Sequence, residues 1–237
     1  MASSSASLVS ETRVEDVLEH LPAARTTEYG KEKVIYGPST FSNAIYLLVA
    51  GKVRLSQVTA GGGEVLLEII RPEEIFGESA FLDVRSRFER ATAVETSKVM
   101  AWAVSDIEDL VTKRPRLAVA LLQILAQRNA QAAQRIESFA TDNIEQRLAR
   151  SLLRFSERLG TREEDGAERM MPLTHALLSQ YVGTSREIVT RYMTRFRKQG
   201  YVTYSRNGIL LYRDGLKTVL DNGACASAPW PARSNCN

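Results

Sequence analysis

Arg186, Glu187 and Arg191 stand within six residues of one another. They carry the two chemistries that read the edges of base pairs. A guanidinium fork donates two parallel hydrogen bonds to O6 and N7 of guanine, and a carboxylate accepts from N4 of cytosine. Over residues 174–213 the further cations are Arg195, Arg197, Lys198, Arg206 and Arg213, and Glu187 is the only acid. A segment this one-sided suits a polyanionic partner, although charge alone also fits a solvated basic face.

The local pattern around these residues narrows the choice. Thr174 can cap a helix with Ala176, Leu177, Leu178, Tyr181 and Val182 as apolar positions. Gly183-Thr184 interrupts it, and glycine suits the left-handed residue that ends a helix. Ser185 can cap a second helix running to about Gln199, with Ile188, Val189, Tyr192, Met193 and Phe196 inside, and Gly200 stops it. Two helices joined by a tight turn, the second one basic, form a helix-turn-helix. Asn207-Gly208 between β-formers is a hairpin signal, which adds a wing. In this arrangement Arg186, Glu187 and Arg191 face the major groove. Thr174, Ser185, Arg195, Lys198 and Arg206 are better placed for phosphates, which position a protein without reading sequence.

The rest of the chain must carry this unit. Its 237 residues suffice for two domains, and 44% hydrophobic with 25% charged residues is ordinary for a globular protein. The net charge of +3 says little beside its distribution. Short strands between turns are expected at 29–36, 44–50, 52–58, 64–70, 90–95 and 98–104, after a short helix at 15–21. Such spacing suggests a small antiparallel barrel. Ser105 and Glu108 form a capping box that opens a short helix ending near Lys113, and Pro115 suits the first turn of the next. One long helix is expected over 115–140. Positions 121, 125, 128, 132, 135 and 139 follow a heptad, centred on Arg128, Ala132 and Arg135 rather than leucines. This face either pairs with a second copy or packs on its own barrel. A further amphipathic helix covers 144–159. Residues 1–12 and 218–237 lack periodicity and are expected to be disordered.

Composition removes several alternatives. The two cysteines, Cys225 and Cys236, sit in the tail, which argues against a disulfide framework and against an iron–sulfur centre. The two histidines, His20 and His175, are far apart in sequence, which disfavours a histidine metal or haem site. There is no clustered histidine, nucleophile motif or P-loop, since Gly61-Gly62-Gly63 is followed by no Gly-Lys-Ser/Thr and reads as a hairpin tip. An enzyme is therefore not expected. The start has no basic leader and apolar core, and no apolar run approaches the roughly 20 residues of a membrane span. The expectation is a cytoplasmic protein without a membrane partner. A rival reading keeps the barrel as a ligand-binding module whose basic C-terminal domain docks protein instead of DNA.

At Gly183-x-Ser185-Arg186-Glu187-x-x-x-Arg191 the chain resembles the family of the cyclic-AMP receptor protein and the fumarate–nitrate regulator (CRP/FNR). The resemblance spans about residues 15–213 and includes Tyr46-Leu-Leu-Val-Ala-Gly51-Lys-Val-Arg-Leu and Phe76-Gly77-Glu78. It implies an α+β chain in four parts: a cyclic-nucleotide-binding-like β-roll (13–113), a long dimerisation helix (114–140), a winged helix-turn-helix (141–217) and a tail (218–237). It implies a transcription regulator that binds double-stranded DNA as a homodimer, with TGTGA-like half-sites one helical turn, about 34 Å, apart. RNA polymerase is a further partner by the same resemblance. For the effector, Gly77, Glu78 and Arg90 match positions that hold the ribose and phosphate of cyclic AMP or cyclic GMP. Ala91 lacks the hydroxyl expected beside Arg90, and Ala132-Ala133 replaces the Thr-Ser that meets adenine. Arg87 and Arg128 resemble arginines of the 2-oxoglutarate-sensing branch, and guanidinium groups suit a dicarboxylate. There Glu78 and Ala133 depart from the pattern. Cyclic nucleotide, 2-oxoglutarate and no effector, with Arg87, Arg90 and Arg128 in structural ion pairs, all stay open.

Overall fold

Eight strands close the N-terminal half around aromatic and aliphatic side chains. The computed structural model describes residues 16–38, 43–82, 89–205 and 208–227. β1 (Thr26–Tyr29), β8 (Ser97–Ala103), β3 (Ala44–Ala50) and β6 (Ile75–Phe76) form one antiparallel sheet in that order. β2 (Val34–Tyr36), β7 (Glu89–Ala93), β4 (Val53–Val58) and β5 (Glu64–Ile70) form the other. Their inner faces bury Ile35, Leu48, Val53, Leu55 and Val99 around a stack of Tyr36, Tyr46 and Phe76, with ring centroids 5.2–6.2 Å apart. This is the β-roll that the sequence suggests.

Two local expectations change. The strand expected over 29–36 is two strands in different sheets, because the chain turns at Gly30–Lys33, where the Lys33 amide donates to the Gly30 carbonyl at 3.0 Å. The leading helix contracts to a 3-10 turn at Val17–Glu19, closed by Asp16 accepting from the Leu18 amide at 2.9 Å.

α1 (Val104–Lys113) begins two residues earlier than the Ser105 capping box requires. Ala103 occupies the cap position, and its amide donates to the Asp106 carboxylate at 3.3 Å. Pro115 opens α2 (Pro115–Thr141), which buries Leu117 and Ala120 with Trp102 of the barrel and Ile107 of α1. Leu121 and Ile124 pack on the same cluster. Arg128 pairs with Glu78 of the barrel, and Arg135 donates to the Leu66 carbonyl at 2.9 Å.

Of the heptad read at 121, 125, 128, 132, 135 and 139, Leu121, Arg128 and Arg135 turn to the chain's own barrel, whereas Leu125, Ala132 and Phe139 stay exposed. Beside these runs a further exposed stripe: Val119, Leu122, Ala126, Asn129, Ala133, Ile136 and Ala140, again alternating three and four. Val119, Leu122 and Ile136 are 47%, 64% and 69% exposed. A repeat of large exposed apolar side chains on one helix stripe is unusual for a solvated surface.

Asp142 is extended and Asn143 caps α3 (Ile144–Leu159), accepting from the Gln146 amide at 3.0 Å. α3 buries Leu148, Leu152 and Phe155 against α4 (His175–Val182) and α5 (Arg186–Lys198). A third antiparallel sheet, β11 (Val202–Ser205), β12 (Gly208–Leu211), β10 (Glu168–Met170) and β9 (Thr161–Arg162), completes the unit. The tail expected to be disordered from 218 is helical through 227 as part of α6 (Arg213–Ser227). Leu216 is fully buried, Val219 and Leu220 pack on the same core, and Gln146 donates to the Leu220 carbonyl at 3.2 Å. Residues 1–12 and 228–237 lie outside the described residues.

The two halves touch directly. Leu66 and Ile69 of β5 belong to the core of the C-terminal unit. Beside them Glu68 pairs with Arg154 at 3.0 Å and Arg158 at 2.6 Å, and Glu74 pairs with Arg158 at 2.9 Å.

Candidate nucleic-acid interface and effector pocket

The turn between α4 and α5 is built by three residues with separate tasks. Thr174 accepts from the Leu177 amide at 3.1 Å and starts α4. Gly183 ends it in the left-handed conformation, φ 72°. Ser185 then accepts from the Ile188 amide at 3.3 Å and starts α5. Val189, Met193 and Phe196 anchor α5 in the core. That leaves Ser185, Arg186, Glu187, Thr190 and Arg191 exposed on its first turn and a half. The first-turn acid interacts favourably with the helix N-terminus. Hydrogen bonding to its own backbone amide and to Ser185 holds the Glu187 carboxyl below the usual carboxylate range.

Gly183→Ala tests this turn. A side chain there would occupy a left-handed backbone, and its Cβ would lie 2.9 Å from the Phe139 ring. The expected loss is about 1–2 kcal/mol of folding free energy, read as a lower urea midpoint; an unchanged midpoint contradicts the geometry.

The phosphate set is placed unevenly. Thr174, Ser185 and Lys198 are exposed. Arg195 is held by Glu145 of α3 at 3.0 Å, so it reaches a phosphate only when that pair opens. Arg206 lies outside the described residues, as does Asn207 at the hairpin tip, but β11 and β12 pair in register on either side. Two residues that sequence reasoning passed over join the same face. His175 Nδ1 lies 2.8 Å from the Thr190 hydroxyl, and burial followed by the nearby Arg186 charge holds its ring below the ordinary histidine pKa. Thr190 sits one helical turn beyond Arg186, and that spacing was the available signal.

In the barrel, Gly77 has φ 89°, and a Cβ there would approach the Tyr46 ring to 2.8 Å. Only glycine combines that backbone with that contact. Glu78 and Arg128 are brought together as an ion pair, and Arg128 also donates to the Ile75 carbonyl. Burial pushes the Arg128 guanidinium below the usual arginine range. Glu78 Oε2 is buried and finds no hydrogen-bond partner among the described residues. Both side chains line a cavity of about 550 Å3 together with Leu55, Leu67, Ala132 and Tyr181. Arg90 is not in its walls; it is paired with Glu64 on β5. Arg87 lies outside the described residues. Among the described residues no group of three or more His, Cys, Asp or Glu is placed to hold a metal ion, and no helix is long and apolar enough to cross a membrane.

Residues 26–114 match the cyclic nucleotide-binding domain family and residues 146–219 the Crp-like helix-turn-helix domain family. The cyclic AMP receptor protein of Thermus thermophilus is 30% identical over 174 residues, covering 73% of this chain and 77% of the relative. The transcriptional regulator SdrP of the same organism is 33% identical over 178 residues, covering 75% and 84%. A solved CRP/FNR-family transcriptional regulator, also from Thermus thermophilus, superposes with a TM-score of 0.65 at 30% identity, over 83% of this chain and 98% of that one.

The chain belongs to the CRP/FNR family. It is a transcription regulator with a helix-turn-helix DNA-binding domain, as in the rest of this family. In this CRP/FNR protein the barrel carries two ion pairs that bear on a ligand. The acid and the arginine that the resemblance assigns to a ligand are both already engaged, Glu78 by Arg128 and Arg90 by Glu64.

Proposed function

We propose that this protein is a homodimer that binds a two-fold symmetric operator with TGTGA-like half-sites, reading bases through Arg186, Glu187 and Arg191. The observation that carries the reading is the free first turn of α5, anchored from behind by Val189, Met193 and Phe196. The open heptad on α2 supports the pairing of two copies. Thr174, Ser185 and Lys198 are the phosphate contacts of this reading, with Arg195 joining them once Glu145 releases it; Arg206 is its further candidate. RNA polymerase is the further partner expected of such a regulator.

The test uses a duplex carrying two TGTGA-like half-sites and the same duplex with both scrambled. Specific binding should be about 10³-fold tighter or more. Log affinity should fall steeply with log salt, as it does when several phosphates are neutralised. Equal binding to both duplexes refutes sequence reading, and a flat salt dependence favours a protein partner over DNA.

A small molecule in the barrel controls the dimer in this reading. Cyclic AMP or cyclic GMP would have to take Arg90 from Glu64, whereas 2-oxoglutarate would have to take Arg128 from Glu78. Each exchange offsets part of the gain with a lost ion pair. Calorimetry with the three compounds on the full chain distinguishes them.

A further inference from the structure

A second cavity, of about 440 Å3, opens in the crook where α2 passes into α3. Five arginines line it, Arg135 from α2, Arg147, Arg150 and Arg154 from α3, and Arg213 from α6, against two acids, Glu137 and Glu157. Three of the cations are neutralised: Arg150 by Asp142 at 2.7 Å, Arg154 by Glu68 at 3.0 Å, and Arg213 by Glu157 and Glu168. Arg135 and Arg147 are not. Among the described residues no carboxylate lies within 4.0 Å of either.

Arg135 donates its terminal nitrogens to the carbonyls of Leu66 and Tyr181, at 2.9 and 2.8 Å. Arg147 lies over the Phe139 ring at 5.0 Å, and Arg135 reaches the same ring at 5.7 Å. The Nε of each is buried without a hydrogen-bond partner among the described residues. Burial also holds Arg135 below the usual arginine range. Two partly desolvated cations with unused donors, on the wall of one concave site, favour an anionic guest, since charge-assisted bonds to guanidinium are strong and carboxylate and phosphate match its fork.

We infer that this crook binds a small multivalent oxyanion, a phosphate- or carboxylate-bearing metabolite that bridges Arg135 and Arg147. A duplex does not fit a concavity of this size. The site opens beside the barrel cavity, and Arg135, Phe139, Arg154 and Tyr181 border both. Its α2 residues Gln134, Ser138 and Thr141 are not members of the open stripe of Ala133, Ile136 and Ala140. The inference does not depend on the operator or on the barrel effector.

Sodium pyrophosphate is the probe, with sodium chloride at matched ionic strength as control and the full chain as sample. Pyrophosphate at ten times its dissociation constant should raise the thermal midpoint by roughly 3–6 °C beyond the chloride control. Arg147→Gln should lose more than half of that excess, and Arg147→Lys should keep a larger part of it. Arg186→Ala should keep it all. Sodium citrate in place of pyrophosphate assigns carboxylate chemistry if its shift is larger and phosphate chemistry if smaller. No excess over the chloride control, an excess retained in Arg147→Gln, or one lost in Arg186→Ala overturns the site. Hydrogen exchange of the unmodified protein decides the matter without a variant. Pyrophosphate should protect amides within 138–150, and protection confined to 184–199 would place the anion on the DNA-reading helix instead.

Discussion

Replacing Arg186 by alanine should lower affinity for the best half-site by about 1–3 kcal/mol, roughly 5- to 150-fold, and relax preference at one base position. Its side chain is exposed at the start of α5, and the core below it is formed by Val189, Met193 and Phe196, so the fold should be unchanged. Lys198→Ala is the contrast. It should weaken all sequences alike and reduce the salt slope by about one per subunit. Competition binding against half-sites varied at each position separates the two outcomes. Uniform weakening by Arg186→Ala would make Arg186 a phosphate contact and remove the centre of the proposed reading surface.

Ile136→Glu should turn the proposed dimer into a monomer. Ile136 is 69% exposed, so a carboxylate there costs the single chain little. Across a two-fold seam the same change places two like charges beside each other in a desolvated stripe. Chromatographic or sedimentation mass should fall to the 26.4 kDa of one chain. Operator affinity should drop by about 10²- to 10⁴-fold, because the second half-site is no longer bound intramolecularly. An unchanged mass at micromolar concentration would move the seam elsewhere on the molecule.

The helix-turn-helix was legible because its signals are local. Thr174, Gly183 and Ser185 each act on backbone within four residues, and all three appear in the structure in the roles their types suggest. The barrel was legible as an alternation of short strands, with errors where a strand is two residues long, as at β6, or where a turn hides between β-formers, as at Gly30–Lys33. The heptad on α2 was half legible for a different reason: 125, 132 and 139 are exposed, but 121, 128 and 135 turn to the barrel. Leu121 and Leu122 are almost equivalent in a periodicity count. What separates them is long-range: Arg128 meets an acid 50 residues away and Arg135 a carbonyl 69 residues away. The same limit applies to Arg90, whose pairing with Glu64 neither spacing nor family resemblance reveals. The tail helix was missed because Leu216, Val219 and Leu220 gain their partners only once α3 is in place.

The open stripe on α2 is thin. Every second layer is small, Ala126, Ala133 and Ala140, and Asn129 stands at its centre, leaving Val119, Leu122 and Ile136 as its large apolar side chains, with Leu125 and Phe139 exposed beside it. Two such helices can approach closely, but they remove little hydrocarbon from water per turn. In the proposed dimer, association of that modest strength would be sensitive to dilution. A cell could then tune occupancy through the number of copies it makes, with the fraction assembled rising more steeply than abundance itself, before any metabolite is sensed.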